Sequence, residues 1–432
     1  MESFTNERFQ ITLDYLYSRL PMYQRVGLKA FKKGLDNIDA LCRYLGNPQE
    51  RYPCLHVAGT NGKGSSSHML AAILQSAGYR TGLYTSPHLK SFTERIRVNG
   101  REASREWIAE WVEKRKPLIE EINPSFFELT VAMAFDYFAH HQVEIAVIEV
   151  GLGGRFDSTN IIRPLLSLIT NISYDHQDVL GSTLPEIAFE KAGIIKPFTP
   201  VVISQRQEEV SSVFIRRATE ENAPLYFASD YYRVEIIGNG IFDIYRQDKL
   251  HMSAVKCQLM GQYQSKNIAG VMQVIECLRQ RGWQISPEAI YKGLAEVSSI
   301  TGLKGRWQVI RSQPLTVCDI AHNEDGLRQV IAQLRSVPYH HLHFVFGVVA
   351  DKSLDKILPL LPLQATYYFC KPNLPRGLPA EILSQQAAGY GLKGQVYASV
   401  QEAYRAALAA ACPCDMVLVS GSTFVVAEIE DL

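Results

Sequence analysis

Short, nearly unbroken apolar runs alternate along this chain with stretches whose apolar positions recur every three or four residues. "CLHVA" (54–58), "IAVIEV" (145–150) and "LLSLIT" (165–170) suit parallel strands covered on both faces. "TGLYTS" (81–86) reads as a further strand. After "CLHVA", Met69, Leu70, Ala72, Ile73, Leu74 and Ala77 fall at helical spacing, and Gly78 is placed to end the helix. Helices are predicted over 104–122, 127–140, 264–281 and 286–295. Another is predicted over 183–192, where Thr183 and Glu186 have capping-box spacing and Gly193 follows. Residues 231–256 alternate more like a small antiparallel sheet.

The polar, glycine-bearing "VSSITGLKG" (297–305) reads as a linker. Beyond it, "LTVCDI", "LHFVFGVV", "TYYFC", "QVYA" and "MVLVS" alternate with helical patterns at 324–336, 353–360, 379–388 and 400–411. The expected architecture is α/β with two domains. Residues 1–296 form a domain with a mostly parallel sheet, 297–305 the linker, and 306–432 a smaller Rossmann-like α/β domain.

Composition narrows the function classes. A chain of 432 residues with 47% hydrophobic and 20% charged residues has enough apolar surface for sizeable cores. Lys+Arg and Asp+Glu both number 44, so no overall charge draws it to nucleic acid or to an anionic membrane. Any anionic ligand must be held by a local site. The eight cysteines include no C-x-x-C pair, and several sit in apolar runs, which points to reduced, mostly buried thiols and a cytoplasmic protein. The N-terminal "MESFTNERFQ" has no signal-peptide core, and no apolar run reaches the ~18 residues of a membrane helix.

Four polar segments follow buried strands, where open α/β sheets bind ligands. "VAGTNGKGSSS" (57–67) departs from the common phosphate-loop pattern, because Gly64 separates Lys63 from the hydroxyls of Ser65, Ser66 and Ser67. Its strand–loop–helix setting still favours phosphate. Glycines let backbone N–H groups converge, the helix start adds a positive dipole end, and Lys63 adds a mobile cation. The bland alternative is a structural turn. In "IEVGLGGRFDSTN" (148–160), Glu149 ends a strand and suits Mg²⁺, although a salt-bridged strand end would look the same. "TNISYDHQDVLG" (170–181) brings Asp175, His176 and Asp178 to the same edge, and for His176 alone a capped surface turn is the simpler reading. Lys191, by pattern alone, is a lysine at a helix C-terminus. In "CDIAHNEDG" (318–326), Asp319 and His322 are ligand candidates or a helix cap.

Ten stretches in one order resemble the Mur ligase superfamily, and within it the folylpolyglutamate synthase/dihydrofolate synthase family. They are "HVAGTNGKGSSS", "YTSPHLKSFTERIRVNG", "IEVGLGGRFDSTN", "TNISYDHQDVLG", "FEKAGIIKP", "GQYQSKNIAG", "KGRWQ", "DIAHN", "GVVADKS" and "SGSTFVVAE", spanning about residues 55 to 428. The extra residue after Lys63 is that family's own form of the loop. The resemblance implies a Mur-ligase-like fold, with a P-loop-type ATP-binding domain followed by the smaller C-terminal domain. It also implies ATP-dependent addition of L-glutamate to a folate or dihydropteroate carboxylate through an acyl phosphate.

By the same resemblance, Asn61, Gly62, Lys63, Gly64 and Ser65 hold ATP phosphates and Asn267 contacts adenine. Arg306 and Asp319 reach the phosphates and ribose, and His322 lies near glutamate or the γ-phosphate. Ser86 and Glu149 match ligands of one Mg²⁺ and His176 a ligand of a second. Lys191 matches a lysine that the family carbamylates, and the carbamate would join the metal ligands. Phe127, Arg155 and Asp157 match positions near the pterin, with "TSPHLKSFTER" as a covering loop. Lys63, Glu149, His176 and Lys191 are thereby the catalytic candidates.

The sequence departs from the family at Lys304, where proline is frequent, and at Ile320, where glycine is usual. The first bears on hinge stiffness and the second on backbone approach to ribose. The implied partners are small molecules acting on a monomer. A ligase for a UDP-linked cell-wall precursor would need a further N-terminal domain, and only about 50 residues precede the loop. A nucleotide switch would hydrolyse ATP without glutamate, and a folate-binding module would not turn over at all.

Overall fold

The computed structural model describes residues 2–22 and 34–432 and divides into two compact units. The first comprises residues up to Gln258 together with Gln264–Gly302, and the second comprises Leu259–Tyr263 and Leu303–Leu432.

In the first unit the strands are β1 (Cys54–Ala58), β2 (Thr81–Tyr84), β3 (Ile96–Val98), β4 (Arg101–Glu102), β5 (Ile145–Glu149), β6 (Leu166–Ile169), β7 (Val201–Ile203) and β8 (Leu225–Phe227). They form one sheet in the order β4-β3-β2-β5-β1-β6-β7-β8. It is parallel from β2 to β8, and only the β2–β3 and β3–β4 pairs are antiparallel. Every residue of β1, β5 and β6 is buried, as expected for parallel strands with both faces covered. Strands β9 (Tyr232–Gly238), β10 (Ile241–Arg246) and β11 (Lys249–Lys256) make the expected small antiparallel sheet.

In the second unit, β12 (Gln308–Ser312), β13 (Leu315–Cys318), β14 (Leu342–Phe346), β15 (Thr366–Phe369), β16 (Lys393–Val396) and β17 (Met416–Ser420) run in the order β12-β13-β17-β14-β15-β16. All neighbours there are parallel except β12 with β13.

Two expectations needed revision. The predicted helix over 104–122 is two helices, Arg105–Lys114 and Lys116–Ile122, because Pro117 cannot donate to a continuous ladder. Half of the expected linker is helical. Val297–Thr301 forms a short helix with Val297 and Thr301 buried, and Thr301 Oγ1 lies 2.7 Å from Nδ1 of the buried His68. Polar character misled there because its polar groups are satisfied inside the first unit. Of the cysteines, six are buried, while Cys412 and Cys414 are exposed.

Candidate active site

Parallel pairing sends the segments after β1, β2, β5 and β6 to one edge of the first sheet. Val57 on β1 pairs with Glu149 on β5, and Ala58 pairs with Ile169 on β6. The loop 59–62 therefore starts between Glu149 on one side and Thr170 on the other.

That loop takes its shape from its glycines and from bonds to the neighbouring strand. Gly59 and Gly62 have φ of 145° and 86°. A Cβ on Gly59 would stand 1.9 Å from Thr170 Oγ1, and one on Gly62 2.3 Å from Asn267 Oδ1. Thr170 Oγ1 donates to the Asn61 carbonyl (2.5 Å), Asn61 N donates to Asn171 Oδ1 (2.8 Å), and Thr60 N donates to the Asn171 carbonyl (2.8 Å). Ser173 adds bonds to Thr60 and to the Asn61 amide. The helix Lys63–Ser76 begins on Gly62, which has no side chain to cap it, so its first N–H groups face the loop as an anion site does. Gln264 bridges Ser65 Oγ (3.2 Å) and the Asn267 amide (2.7 Å), which seats Asn267 against the loop.

Two lysines meet at one carbonyl. Lys63 Nζ donates to the carbonyls of Gly59 (3.1 Å) and Thr60 (3.2 Å), and Lys191 Nζ also donates to Gly59 (2.9 Å). Lys191 is buried, and its pKa is pushed down to about 7, first by loss of solvation and then by repulsion from Lys63. Asp175 and Asp157 pull it back in part. Lys191 projects from the helix Leu184–Ala192, which starts with the expected Thr183–Glu186 capping box.

Glu149 is buried and accepts a bond from Ser86 N at 3.2 Å. Ser86 Oγ is buried with no hydrogen-bond partner among the described residues. A carboxylate and an unengaged hydroxyl at one place are hard oxygen donors, and this set fits Mg²⁺. His176 has φ of 50° and sits before the short helix Gln177–Leu180, with Nε2 3.9 Å from Asp175 Oδ2. The segment after Ser86 is fastened by Glu94, whose carboxylate accepts from the backbone N of Leu89, Lys90 and Ser91 at 2.7–2.9 Å.

Phe127, Gly151 and Asp157 converge. A Cβ on Gly151 would lie 2.4 Å from Phe127 Cζ and 3.2 Å from Asp157 Oδ2. Asp157 is buried and accepts from Gly151 N, Leu152 N, Thr159 N and Thr159 Oγ1 at 2.5–3.0 Å, so it shapes the glycine-rich loop from within. Burial nonetheless pushes its pKa up. Thr159 Oγ1 is also 2.8 Å from Nε2 of His56, a fully buried residue of β1 kept neutral by burial, its pKa near 3. Arg155 pairs with Glu190 at 2.7 Å and lies over the rings of Phe156 and Phe189.

In the second unit, Asp319 is buried and accepts from Trp307 N (2.7 Å), Tyr263 Oη (2.8 Å) and Ala321 N (2.9 Å), with its pKa raised by burial. Arg306 precedes Trp307, and His322 Nδ1 is 3.0 Å from the Ile320 carbonyl. Sequence reasoning did not single out Thr170, Gln264, His56, Thr159 or Tyr263. Thr170 and Thr159 lie in the polar stretches after strands, which was the available signal. His56 sits inside an apolar run and gave none.

Residues 57–275 match the Mur ligase middle domain, and residues 305–423 match the Mur ligase glutamate ligase domain. The chain belongs to the Mur ligase family. The dihydrofolate synthase/folylpolyglutamate synthase of Bacillus subtilis is 35% identical to this Mur ligase over 359 residues, 80% of this chain and 82% of the relative. The probable bifunctional folylpolyglutamate synthase/dihydropteroate synthase of Haloferax volcanii is 35% identical over 413 residues. That is 92% of this chain and 48% of the relative, so the chain spans about half that protein's length. Folylpolyglutamate synthase of Mycobacterium tuberculosis complexed with ADP matches this Mur ligase with a TM-score of 0.88 at 30% identity, covering 98% and 97% of the two chains. A bifunctional folylpolyglutamate synthase/dihydrofolate synthase with Mn, AMPPNP and L-glutamate bound matches with a TM-score of 0.83 at 28% identity, covering 97% and 96%. Among the described residues no helix is long and apolar enough to cross a membrane.

Proposed function

We propose that this Mur ligase couples ATP cleavage to amide formation between L-glutamate and the carboxylate of a folate or of dihydropteroate. The observation that carries the reading is the meeting of Lys63 and Lys191 at the Gly59 carbonyl, beside the start of the helix Lys63–Ser76. Named relatives that join glutamate to folates, and one relative holding L-glutamate and an ATP analogue, supply the substrate classes.

A carboxylate resists nucleophiles because its charge repels them. Transfer of the γ-phosphoryl makes an acyl phosphate and releases ADP, and the glutamate amine then displaces phosphate. Lys63 and the helix N–H groups would offset charge on the transferring phosphoryl. Ser86 and Glu149 would hold one Mg²⁺, with His176 toward a second. The bound ion would neutralise charge on the phosphate oxygens. Lys191 would take up CO₂ on its neutral amine, with loss of one proton, leaving an oxygen anion for the metal set. Its pKa near 7 supplies that amine at neutral pH. Phe127, Asp157 and Arg155 are the proposed folate neighbours. Asn267 is the proposed adenine contact, and Arg306, Asp319 and His322 are the second unit's proposed contacts to nucleotide and glutamate. We read the chain as a cytoplasmic monomer acting on small molecules alone, and its even charge balance gives it no general pull toward nucleic acid or an anionic membrane.

The test is phosphate release from ATP with Mg²⁺ and L-glutamate, adding dihydropteroate or tetrahydrofolate, with the amide product identified by mass. Release in both tubes gives the bifunctional reading, and release in one names the substrate. A folded, ATP-binding protein inert with both refutes the proposal. Lys191→Ala is expected to lose turnover and regain part of it with acetate. Full activity without acetate would make Lys191 structural.

A further inference from the structure

The second unit carries a group of metal-ligating side chains that ligation chemistry does not use. His340 Nδ1, Cys414 Sγ and an Asp415 carboxylate oxygen all lie within 4.8 Å of one another. They come from segments entering β14 and β17, whose backbones are joined by His340 N to the Cys414 carbonyl and Met416 N to the His341 carbonyl, both 2.9 Å. The strand ladder therefore fixes the approach of the two segments.

We propose that His340, Cys414 and Asp415 form a binding site for a borderline divalent cation of the zinc class. Asp415 is the buried anchor. Its oxygens accept from Cys412 N (2.7 Å) and His341 N (3.1 Å), and its Oδ1 is 3.6 Å from His340 Nδ1. A second observation points into the same place. His343 is 5% exposed, its Nδ1 is 2.9 Å from Tyr368 Oη, and its buried Nε2 has no hydrogen-bond partner among the described residues while standing 3.5 Å from Asp415 Oδ2. Ligating carboxylates are themselves supported by outer polar groups, and the His343 imidazole stands where such a support for Asp415 would.

Bond lengths of about 2.0–2.3 Å to N, O and S put tetrahedral donors about 3.3–3.8 Å apart, so closing the site needs movements of roughly 1 Å. His340 and Cys414 are exposed and free to make them. A thiolate with an imidazole selects zinc-like ions over Mg²⁺. The exposed Cys412 or a water would complete the set. The site precedes β14 and β17, at the edge of the sheet opposite Asp319 and His322, about 15 Å away at the strand rise. Its role is then a clasp for the second unit, separate from turnover.

The test uses the full chain, chelator-treated and reduced, with excess Mg²⁺ to fill oxygen sites. Co²⁺ alone is titrated as the probe and then displaced with Zn²⁺. One Co²⁺ per chain with a near-ultraviolet thiolate band is expected. Cys414→Ser should lose the band, and His340→Ala should weaken binding at least ~10-fold. Zn²⁺ should raise Tm in the wild type and not in Cys414→Ser, and both variants should keep ligase turnover. Absence of the band in the wild type overturns the proposal. So does its loss in Cys412→Ser together with its persistence in Cys414→Ser, or an unchanged affinity in His340→Ala. Circular dichroism without metal confirms that each variant is folded.

Discussion

Replacing Lys191 by methionine should change stability in a way that depends on pH through one group. Lys191 has a pKa of about 7 in the folded chain against an ordinary 10.5. Because the folded value is depressed, the unfolded chain binds more protons between these limits, and stability rises with pH across that window. Below about pH 7 the cost of the buried charge is complete. Integrating the proton difference from pH 7 to pH 9 gives about 2 kcal/mol in favour of the folded wild type. Lys191→Met lacks this contribution, and groups not coupled to Lys191 cancel when the two proteins are compared. The assay is urea unfolding of both at pH 5, 6, 7, 8 and 9 in CO₂-free buffer. The wild type should gain about 2 kcal/mol on the variant between pH 7 and 9 and nothing between 5 and 6. A flat difference would mean that Lys191 is charged in the fold, and the argument for a neutral amine would fail.

Lys63→Ala and Glu149→Ala should each lower kcat at least ~100-fold in the phosphate-release assay, as lost charge stabilisation does. A near-wild-type rate in either would displace the site. Gly59→Ala puts a methyl 1.9 Å from Thr170 Oγ1 and should abolish ADP binding by calorimetry, while Gly389→Ala, where the new Cβ meets open space, should not. Thr159→Val removes the hydroxyl between His56 and Asp157, and KM for the folate should rise more than kcat falls; an unchanged KM would separate Asp157 from folate. Asp319→Asn weakens the acceptor shared by Trp307 N and Tyr263, and should raise KM for ATP if the proposed ribose contact holds.

The sheet of the first unit was legible because parallel strands buried on both faces leave unbroken apolar runs, as in β1, β5 and β6. The edge strand β4 and its neighbour β3 were not, since "RE" and "IRV" are too short and too charged to show a period. Lys63 and Glu149 could be singled out because one opens the helix after the loop beyond β1 and the other ends β5. Lys191 could not: its sequence says helix end, and its chemistry comes from burial and from Lys63, which it meets at the Gly59 carbonyl, 132 residues away. Asp157 showed the opposite limit. The resemblance placed it near a pterin, and the structure shows the backbone bonds that occupy it. The helix Val297–Thr301 was hidden because polar side chains satisfied by long-range partners look like a linker in one dimension.

The bonds from Thr170, Asn171 and Ser173 to loop 59–62 have a thermodynamic consequence. Ordering a loop of this kind costs on the order of 1 kcal/mol per residue. Here that ordering accompanies folding of the sheet, so nucleotide binding need not supply it. Loosening the lashing at Thr170, which would touch no phosphate, would move the cost from folding to binding. The lost affinity would then appear as entropy, with the enthalpy of the phosphate contacts preserved.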